Sequence, residues 1–542
     1  MPSFGLRATP ILFAIVGASA AYGQRGGGDW MTSGNDAQRS SWVRMDAKIS
    51  AENMQKPGFE LLWKMKVNNG TRQLNALTPP ALLEFYISYR GFRSLGFVGG
   101  SSDTLTAIDS DLGRLEWEKK LATTAPPTSA SVNCPGGMTS AVTRPTAITY
   151  PSPQGGRGVG RGTPAKSGVG EPLQGAITIR PNQQPPGGFG GPGGPGGPGG
   201  PGGEGARRPG GAAAAAAATA APGPFDRRVS WIHALSSDGK FHSLYVSNGD
   251  EPGAAVPFLP AGANAQGLIV FGGVAYAASV NNCGGVDNGI WALDIASKTV
   301  TSWKTDGNIA GTAGAAVGPD GMLYVATSKG ELAALEPKTL AGKPSYQAGI
   351  ELTSTPLVFE FKGKDLIAVT AADGTLHLAD AANLAGGAVS KSVPFSAPGY
   401  ATGALASWQD SSGGRWIMAP GNDSIVAFKV EMKDGKPALE KAWTSRKMVS
   451  PLSPIIINGV VFALSSGEFR TADAKVTAPQ RAAKSSKAVL YSFDAATGKE
   501  FWNSGTTIAS FAHTGGLSGG AGHVYLSTND GTQYQFGFPI EH

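Results

Sequence analysis

The sequence is poor in cysteine and in charged residues, and both deficits exclude classes of protein. Its 542 residues include two cysteines, and Asp, Glu, Lys and Arg together make up 15% of the chain. Two cysteines allow one disulfide, which excludes a disulfide-rich scaffold, and neither belongs to a C-x-x-C zinc pair or a C-x-x-C-H haem site. The H-E-x-x-H metalloprotease and G-x-x-x-x-G-K-[ST] phosphate-binding motifs are missing as well. The chemistry of those enzyme classes is therefore not indicated.

Long apolar runs are also scarce, and the notable one is at the N-terminus. Arg7 precedes a short apolar run, Ile11 to Val16, and the small-x-small sequence from Ala21 to Gly23 follows. This arrangement is typical of a secretory signal peptide, predicted here over residues 1–23. No other stretch reaches the roughly 20 apolar residues of a membrane helix, so no transmembrane span is expected in the mature protein. We therefore expect a periplasmic or secreted protein, in an oxidising compartment where thiols pair.

The positive charge is concentrated in one segment. Between Pro151 and Arg228 lie eight basic and three acidic residues, which account for most of the net charge of +6. The same segment holds a Gly-Pro-rich run and an alanine run that starts at Ala212. Such a composition cannot bury apolar surface, so we predict a disordered insertion over residues 151–228. A nucleic-acid-binding face would combine basic with aromatic residues, so no nucleic-acid partner is expected.

What the sequence has in abundance is a repeat. The unit is a β-rich run, a polar turn, a second run that ends in an apolar-Asp pair, and a strand that carries tryptophan. It recurs at Ser94–Trp117, Val274–Trp303 and Ala488–Trp502, with weaker copies between them. Short strands joined by Asp-Gly and Lys-Gly turns, at a period of roughly 40–50 residues, are typical of the four-stranded blades of a β-propeller.

The repeats predict an all-β propeller over residues 59–542, preceded by a lead-in over residues 24–58. Eight blades are expected, or seven if one weak copy is misread: 74–121, 137–248, 264–305, 311–348, 352–395, 402–445, 453–505 and 514–538. The disordered insertion lies within the second blade. The last blade lacks an outer strand, whereas the run Phe59 to Val67 is a strand without a blade. We therefore predict that the N-terminal strand completes the last blade, which closes the ring and removes open sheet edges.

The sequence LYSFDAATGKEFW, Leu490 to Trp502, resembles the repeat of pyrroloquinoline-quinone-type (PQQ-like) propellers, the quinoprotein alcohol dehydrogenase-like superfamily. The resemblance covers most of the chain from Phe59 onward. It implies that the repeat tryptophans pack against the neighbouring blade: Trp63, Trp117, Trp303, Trp443 and Trp502. The superfamily includes PQQ- and calcium-dependent dehydrogenases as well as non-catalytic scaffolds, so the resemblance specifies a fold more closely than a function.

A dehydrogenase of this type needs oxygen ligands for calcium and a carboxylate base near the ring axis. The family's dehydrogenases commonly add adjacent cysteines against the quinone, and this sequence has no Cys-Cys pair. No set of calcium ligands aligns, and no catalytic residue is assigned. We therefore expect an exported binding or scaffold module with a protein or envelope partner. The alternative is a PQQ- and calcium-dependent alcohol dehydrogenase-like oxidoreductase, and PQQ and calcium are expected only in that case.

The two cysteines lie in similar sequences, SVNCPGG around Cys134 and SVNNCGG around Cys283. The predicted blades place Cys134 before the inner strand of blade 2 and Cys283 in the second-to-third-strand loop of blade 3, on one face of the propeller. A Cys134–Cys283 disulfide between adjacent blades is the favoured interpretation. Two free thiols and a metal pair are the alternatives.

Three further features are assigned to the same face. The insertion over residues 151–228 and a second one over 467–488 are both interpreted as second-to-third-strand loops. His513 precedes the inner strand of the last blade and is a candidate to face the central opening, with an ordinary loop histidine as the alternative. We therefore expect the decorated face to be the ligand face.

Overall fold

The computed structural model describes residues 29–88, 91–122, 131–147, 230–473, 475–513 and 516–539. The predicted signal peptide and the predicted disordered insertion lie outside these residues. The described chain forms eight sheets, which are the eight blades of an all-β propeller. The prediction of eight blades, rather than seven, is therefore confirmed.

Seven blades have four strands, which run outward from the axis. From the innermost strand, blade 1 comprises Ala81–Ser88, Gly91–Gly99, Thr104–Asp109 and Arg114–Lys120, and blade 3 comprises Asn264–Phe271, Val274–Val280, Gly289–Asp294 and Thr299–Lys304. Blade 4 comprises Ala316–Val317, Leu323–Ala326, Glu331–Leu335 and Gly342–Gln347, and blade 5 comprises Leu357–Phe361, Lys364–Thr370, Leu376–Asp380 and Ala388–Lys391. Blade 6 comprises Ala406–Gln409, Arg415–Pro420, Ile425–Lys433 and Lys436–Thr444, and blade 7 comprises Ile455–Ile457, Val460–Ser465, Val489–Asp494 and Glu500–Asn503. Blade 8 comprises Ser518–Gly520, His523–Ser527, Thr532–Gly537 and Glu60–Lys66.

Blade 2 is the irregular one. Its strands are Trp231–Leu235, Lys240–Tyr245 and a short outer strand, Val256–Pro257, which lies beyond the predicted end of the blade at residue 248. The innermost position is taken by the chain around Thr143, whose backbone exchanges two hydrogen bonds with His233. The first insertion therefore leaves the blade between its first and second strands. Its assignment to a second-to-third-strand loop was wrong, because the pairing of Thr143 makes the segment before the insertion a single strand.

Helices are few and short among the described residues. One α-helix, Ala478–Lys484, lies in the second insertion, and 3₁₀ turns lie at Asn53–Gln55, Cys283–Gly285 and Ala381–Gly386. Short parallel pairs join Pro145–Thr146 to blade 3 and Trp42–Val43 to blade 7. None of the described helices has the length and apolar character of a membrane span.

The N-terminal strand closes the ring, as predicted. Glu60–Lys66 pairs antiparallel with Thr532–Gly537 and so becomes the outermost strand of the last blade. From this strand, the indole N–H of Trp63 donates a 2.8 Å hydrogen bond to the carbonyl of Ser110 in blade 1. The chain therefore holds its last blade to its first with its own N-terminal part.

The hydrophobic core is divided among the interfaces between neighbouring blades. One apolar cluster joins Tyr276 and Ile290 of blade 3 to Val325 and Leu335 of blade 4, and others follow around the ring. Successive side chains of a strand point to opposite faces of the sheet, so each inner strand directs one set of buried side chains to each neighbouring blade. Each buried Val, Leu or Ile contributes roughly 1.5–3 kcal/mol, so no single interface dominates the stability of the ring.

Candidate functional site

The axis of the propeller is occupied by the chain's own N-terminal part, residues 29–46, which we call the axial segment. The sequence predicts only a lead-in here. The segment passes around the axis and hydrogen-bonds to the inner part of each blade, at distances between 2.7 and 3.2 Å. Its partners, from blade 1 to blade 8, are Leu82, Arg144, Leu268, Val317, Val358, Ser407, Ile456 and Gly522. The segment therefore acts as an internal floor that spans the central opening.

Arg39 ties this floor to two blades. Its side chain is fully buried, and its Nε donates to the carbonyl of Ala315 in the lead to blade 4 while Nη2 donates to Gly267 in blade 3, at 2.9 and 2.8 Å. Nη1 donates within the segment to Thr32 and Ser33. Burial lowers the pKa of Arg39 to about 9, which leaves the guanidinium charged at neutral pH. A guanidinium suits this position because its planar fork carries five donors in fixed directions.

A cavity of about 260 Å³, which we call the axial cup, lies against the axial segment. Its floor includes Trp30, Ser33, Gly34 and Ser41 of that segment. Its wall is built by the chain that leads into the inner strand of each blade, and all eight blades contribute: Thr78, Thr139, Gln266, Thr312, Thr353, Thr402, Ser453 and Leu517. The side of the propeller on which these leads lie is called the cup face. A site of this kind cannot be recognised from any local motif, because its wall is drawn from eight separate loops.

His513 lies on the wall of the cup, beside a buried cluster of charges. Its Nδ1 is 3.0 Å from Oε1 of Glu468, a residue of the second insertion whose carboxylate is completely buried. Arg481 Nη2 and Arg470 Nε contact the same carboxylate at 2.5 and 3.2 Å. Burial alone would raise the pKa of Glu468, but His513 and the two arginines outweigh it and lower the pKa to about 2. The carboxylate is therefore ionised and contacted by two arginines and one imidazole, and Arg470 lines the cup beside His513.

The second insertion forms a cover at this side of the cup. Its helix begins with a capping box, in which Thr477 and Gln480 bond each other's backbone N–H groups. Ala478 on the helix packs in an apolar cluster with Leu74 and Phe511, joined by Val132 from the Cys134 loop. Glu468 and this cluster together hold the insertion in place. The sequence identifies the insertion and its face correctly, since it joins the second and third strands of blade 7.

The two cysteines form a disulfide, with their Cα atoms 5.5 Å apart. The two cysteine loops are also joined by hydrogen bonds, because the backbone carbonyl of Asn133 accepts from the side chains of Asn264 and Asn281, at 2.8 and 2.9 Å. The glycines also have a role. Gly137 has φ of 72°, and a Cβ there would lie 1.9 Å from the carbonyl oxygen of Ser101. The matching sequences therefore form one cross-link between the loops of blades 2 and 3.

This cross-link contacts the wall of the cup. Asn75 lines the cup, and its side-chain nitrogen donates to the carbonyls of Gly136 and Met138, just beyond Cys134. Thr139, the next residue, is itself part of the wall. The disulfide, the second insertion and His513 therefore lie on the cup face. The first insertion lies outside the described residues, and its flanking residues Ala147 and Ser230 join the first strand of blade 2 to the second.

The repeat tryptophans lie in outer strands and contact the following blade. The indole N–H groups of Trp63, Trp117 and Trp443 donate to the carbonyls of Ser110, Val246 and Ala495. Trp303 packs against the apolar cluster of blades 3 and 4, and Trp502 packs edge-on against Phe59 and Phe536 of the last blade and its lead. None of the five lines the axial cup.

Three of the remaining described histidines, His233, His242 and His377, lie in buried hydrogen-bond networks, whereas the buried ring nitrogens of His523 have no hydrogen-bond partner among the described residues. His377 bridges the hydroxyls of Tyr346 and Thr375, both at 2.9 Å, and burial lowers its pKa to about 4. In blade 2, Ser236 Oγ lies 2.9 Å from His242 Nε2, and His242 Nδ1 lies 2.6 Å from Glu251. This order of groups resembles a catalytic triad, but Ser236 is 3% exposed, also binds Asp238, and lies outside the cup. It is a structural network rather than a nucleophile.

The cup does not fit a calcium-dependent quinone site. Ca²⁺ takes six to eight oxygen ligands and relies on carboxylates. No Asp or Glu is among the described residues that line the cup, and Glu468 behind its wall is already held by three cationic or basic groups. The described chain also contains no group of three His, Cys, Asp or Glu side chains that is arranged to hold a metal ion. The same donor set offers no carboxylate base to accept an alcohol proton.

Comparison with known proteins supports the fold. A scan of the sequence against protein-family models finds no match, and neither does a search of the curated proteins. Among solved structures, the quinohemoprotein alcohol dehydrogenase from Comamonas testosteroni matches with a TM-score of 0.51 and 13% identity, over 95% of this chain and 81% of that one. The chain has the fold of these PQQ-like propellers.

Two further structures are similar. The quinohemoprotein alcohol dehydrogenase ADHIIG from Pseudomonas putida HK5 matches with a TM-score of 0.51 and 11% identity, over 95% of this chain and 81% of that one. BamB from Moraxella catarrhalis matches with a TM-score of 0.45 and 12% identity, over 89% of this chain and 99% of that one. Identities this low concern the fold alone, so the function has to be argued from the site.

Proposed function

We propose that this protein is a non-catalytic PQQ-like propeller that works as a binding module, with the cup face as its ligand face. One observation carries the proposal: the described residues that line the axial cup combine apolar and polar groups with one permanent cation, Arg470, and include no carboxylate. Such a wall can select a ligand by hydrogen bonding and charge. It offers neither a metal-ligand set nor a general base.

The architecture of the cup face also favours binding over catalysis. The floor is a segment of the same chain that is bonded to every blade, so the cup is prebuilt. The disulfide and the second insertion brace two sides of the wall, through Asn75 and through Glu468. A rigid, preorganised site costs little conformational entropy when a ligand binds. A protein or envelope partner is expected to contact the loops around this cup.

We further propose that the protein acts in the periplasm or outside the cell. The N-terminal sequence supports export, and a disulfide is typical of oxidising compartments. Expression of the full chain in a bacterial host, followed by N-terminal sequencing of the exported form, should place cleavage after Gly23. Full-length protein that stays in the cytoplasm would contradict this localisation.

A reconstitution experiment separates the binding module from a dehydrogenase. The purified mature protein is incubated with Ca²⁺ and PQQ, desalted, and assayed for quinone absorbance and for alcohol-dependent dye reduction. We expect neither, because the cup lacks oxygen ligands for calcium. Stoichiometric quinone uptake together with turnover would overturn the proposed function.

A further inference from the structure

The strongest chemical feature of the axial cup is the cation Arg470, because its ion pair with Glu468 occupies only part of its guanidinium group. Arg470 donates through Nε to Glu468, while its terminal Nη groups have no hydrogen-bond partner among the described residues. The guanidinium lies about 6 Å above the ring of Tyr400 and remains 30% exposed. It is therefore held in position at the wall of the cup and still presents donors there.

The charge around the cup is unbalanced in favour of an anion. Two arginines, Arg470 and Arg481, contact the single carboxylate of Glu468, so the arginines outnumber the carboxylate by one positive charge. No acidic side chain among the described wall residues would repel an anion. Guanidinium groups bind carboxylates and phosphates through two parallel hydrogen bonds. A single surplus charge matches a carboxylate better than a phosphate monoester, which carries about −1.5 to −2 at neutral pH.

The rest of the wall calls for a hydroxylated ligand. The hydroxyls of Thr312 and Thr402 have no hydrogen-bond partner among the described residues, and the amide oxygen of Gln266 is equally unpaired. These groups come from three different blades around the cup. A ligand that carries hydroxyl groups can donate to the amide oxygen of Gln266 and exchange hydrogen bonds with both threonines, whereas an apolar acid would leave the buried amide oxygen unpaired at a cost of about 1–3 kcal/mol.

The volume limits the size of the ligand. A cavity of about 260 Å³ is below the roughly 300–1,000 Å³ of pockets that hold drug-sized molecules. A compound of two to six carbon atoms with hydroxyl groups fits this space.

We infer that the axial cup is a binding site for a small hydroxylated carboxylate, such as a hydroxy acid or a sugar acid, with Arg470 as its anchor. The inference rests on the proposed function and specifies its ligand class. Arg470 is expected to hold the carboxylate, with Nε2 of His513 beside it. The hydroxyl groups are expected to meet the threonines and Gln266 on the other sides of the wall.

Isothermal titration with matched pairs of acid and polyol tests the inference. The pairs are glycolate and ethylene glycol, glycerate and glycerol, and gluconate and sorbitol, each with one chain length and differing in the carboxylate. For at least one pair we expect the acid to bind at least tenfold more tightly than its polyol. R470Q should abolish that preference, because glutamine keeps hydrogen-bonding capacity without the charge. R446Q is the matched control, since it removes an exposed arginine of the neighbouring loop that lies outside the cup and should leave the preference intact.

The outcomes distinguish this inference from the proposed function. If no acid binds more tightly than its polyol, or if folded R470Q keeps the preference, the ligand class is overturned while the binding-module function stands. PQQ uptake with turnover, measured on the same preparations, would instead overturn the function. Melting curves of both variants verify that they fold. Should R470Q not fold, competition of gluconate binding by chloride provides the second readout, and a preference that salt does not weaken would contradict an arginine anchor.

Discussion

The hydrogen bond of Trp63 across the closing interface allows a quantitative prediction. In Trp63→Phe the indole N–H that donates to Ser110 at 2.8 Å is lost, and the carbonyl of a residue that is 2% exposed loses this donor. The lost hydrogen bond costs about 0.5–1.5 kcal/mol. The two ring carbons removed with it, at about 0.8 kcal/mol for each fully buried carbon, cost about 1 kcal/mol on this half-buried side chain. We therefore expect W63F to lower the free energy of unfolding by about 2 kcal/mol.

Trp303→Phe is the matched control. Trp303 has the corresponding place in an outer strand and is also half-buried, but its indole has no hydrogen-bond partner among the described residues. W303F should therefore lose only the packing contribution, about 1 kcal/mol. Urea unfolding monitored by tryptophan fluorescence and circular dichroism gives both values, provided that the m-value stays constant. Equal losses in the two variants, or a larger loss in W303F, would refute the hydrogen-bond contribution to ring closure.

Two further predictions concern the cup face. Replacing both Cys134 and Cys283 by serine opens a cross-link with a sequence separation of 149 residues, and should lower stability by about 2–5 kcal/mol. A melting temperature that reductant leaves unchanged would contradict this, and a peptide joining both cysteines should appear in non-reducing mass spectrometry. Glu468 has a pKa of about 2 in the folded protein, below its ordinary 4.5, so its contribution is complete above about pH 5 and is lost as the pH falls towards 2. The free energy of unfolding of the wild type should exceed that of Glu468→Gln by up to about 3 kcal/mol at pH 7, and the difference should vanish near pH 2. A difference that does not change with pH would contradict the ionised cluster.

The propeller ring can be predicted from the sequence because the strands and turns of each blade are encoded by neighbouring residues. Each repeat contains its own strands and turns, and the spacing of Asp494 and Trp502 is closely matched in two other blades, so the pattern predicts both the strand count and the N-terminal closure at Trp63. The same register places both cysteines on one face, which favours their pairing over two free thiols or a metal pair, and the structure contains the disulfide. Blade 2 is the exception. The insertion separates the innermost strand at Thr143 from the rest of the blade, so the repeat spacing does not reveal this strand.

The candidate site is less accessible to sequence reasoning. His513 is recognisable as a residue that leads into an inner strand, but Arg470, Glu468 and Arg481 lie in an insertion without repeat character. A carboxylate between two arginines in such a segment is the one local signal, and it does not indicate what the charges surround. Their role becomes visible only when the insertion folds back onto the chain near His513.

What the sequence determines by itself is therefore the propeller, its closure and the face on which its cysteines meet, because these depend on short-range alternation, turns and repeat spacing. Only the tertiary structure reveals the axial segment, since residues 29–46 have no repeat and acquire their conformation from hydrogen bonds to eight blades that are distant in the chain. The cup has the same origin. Its floor is a non-repeated segment and its wall takes residues from each of eight loops, so it exists only once the ring has closed around Arg39 and its neighbours.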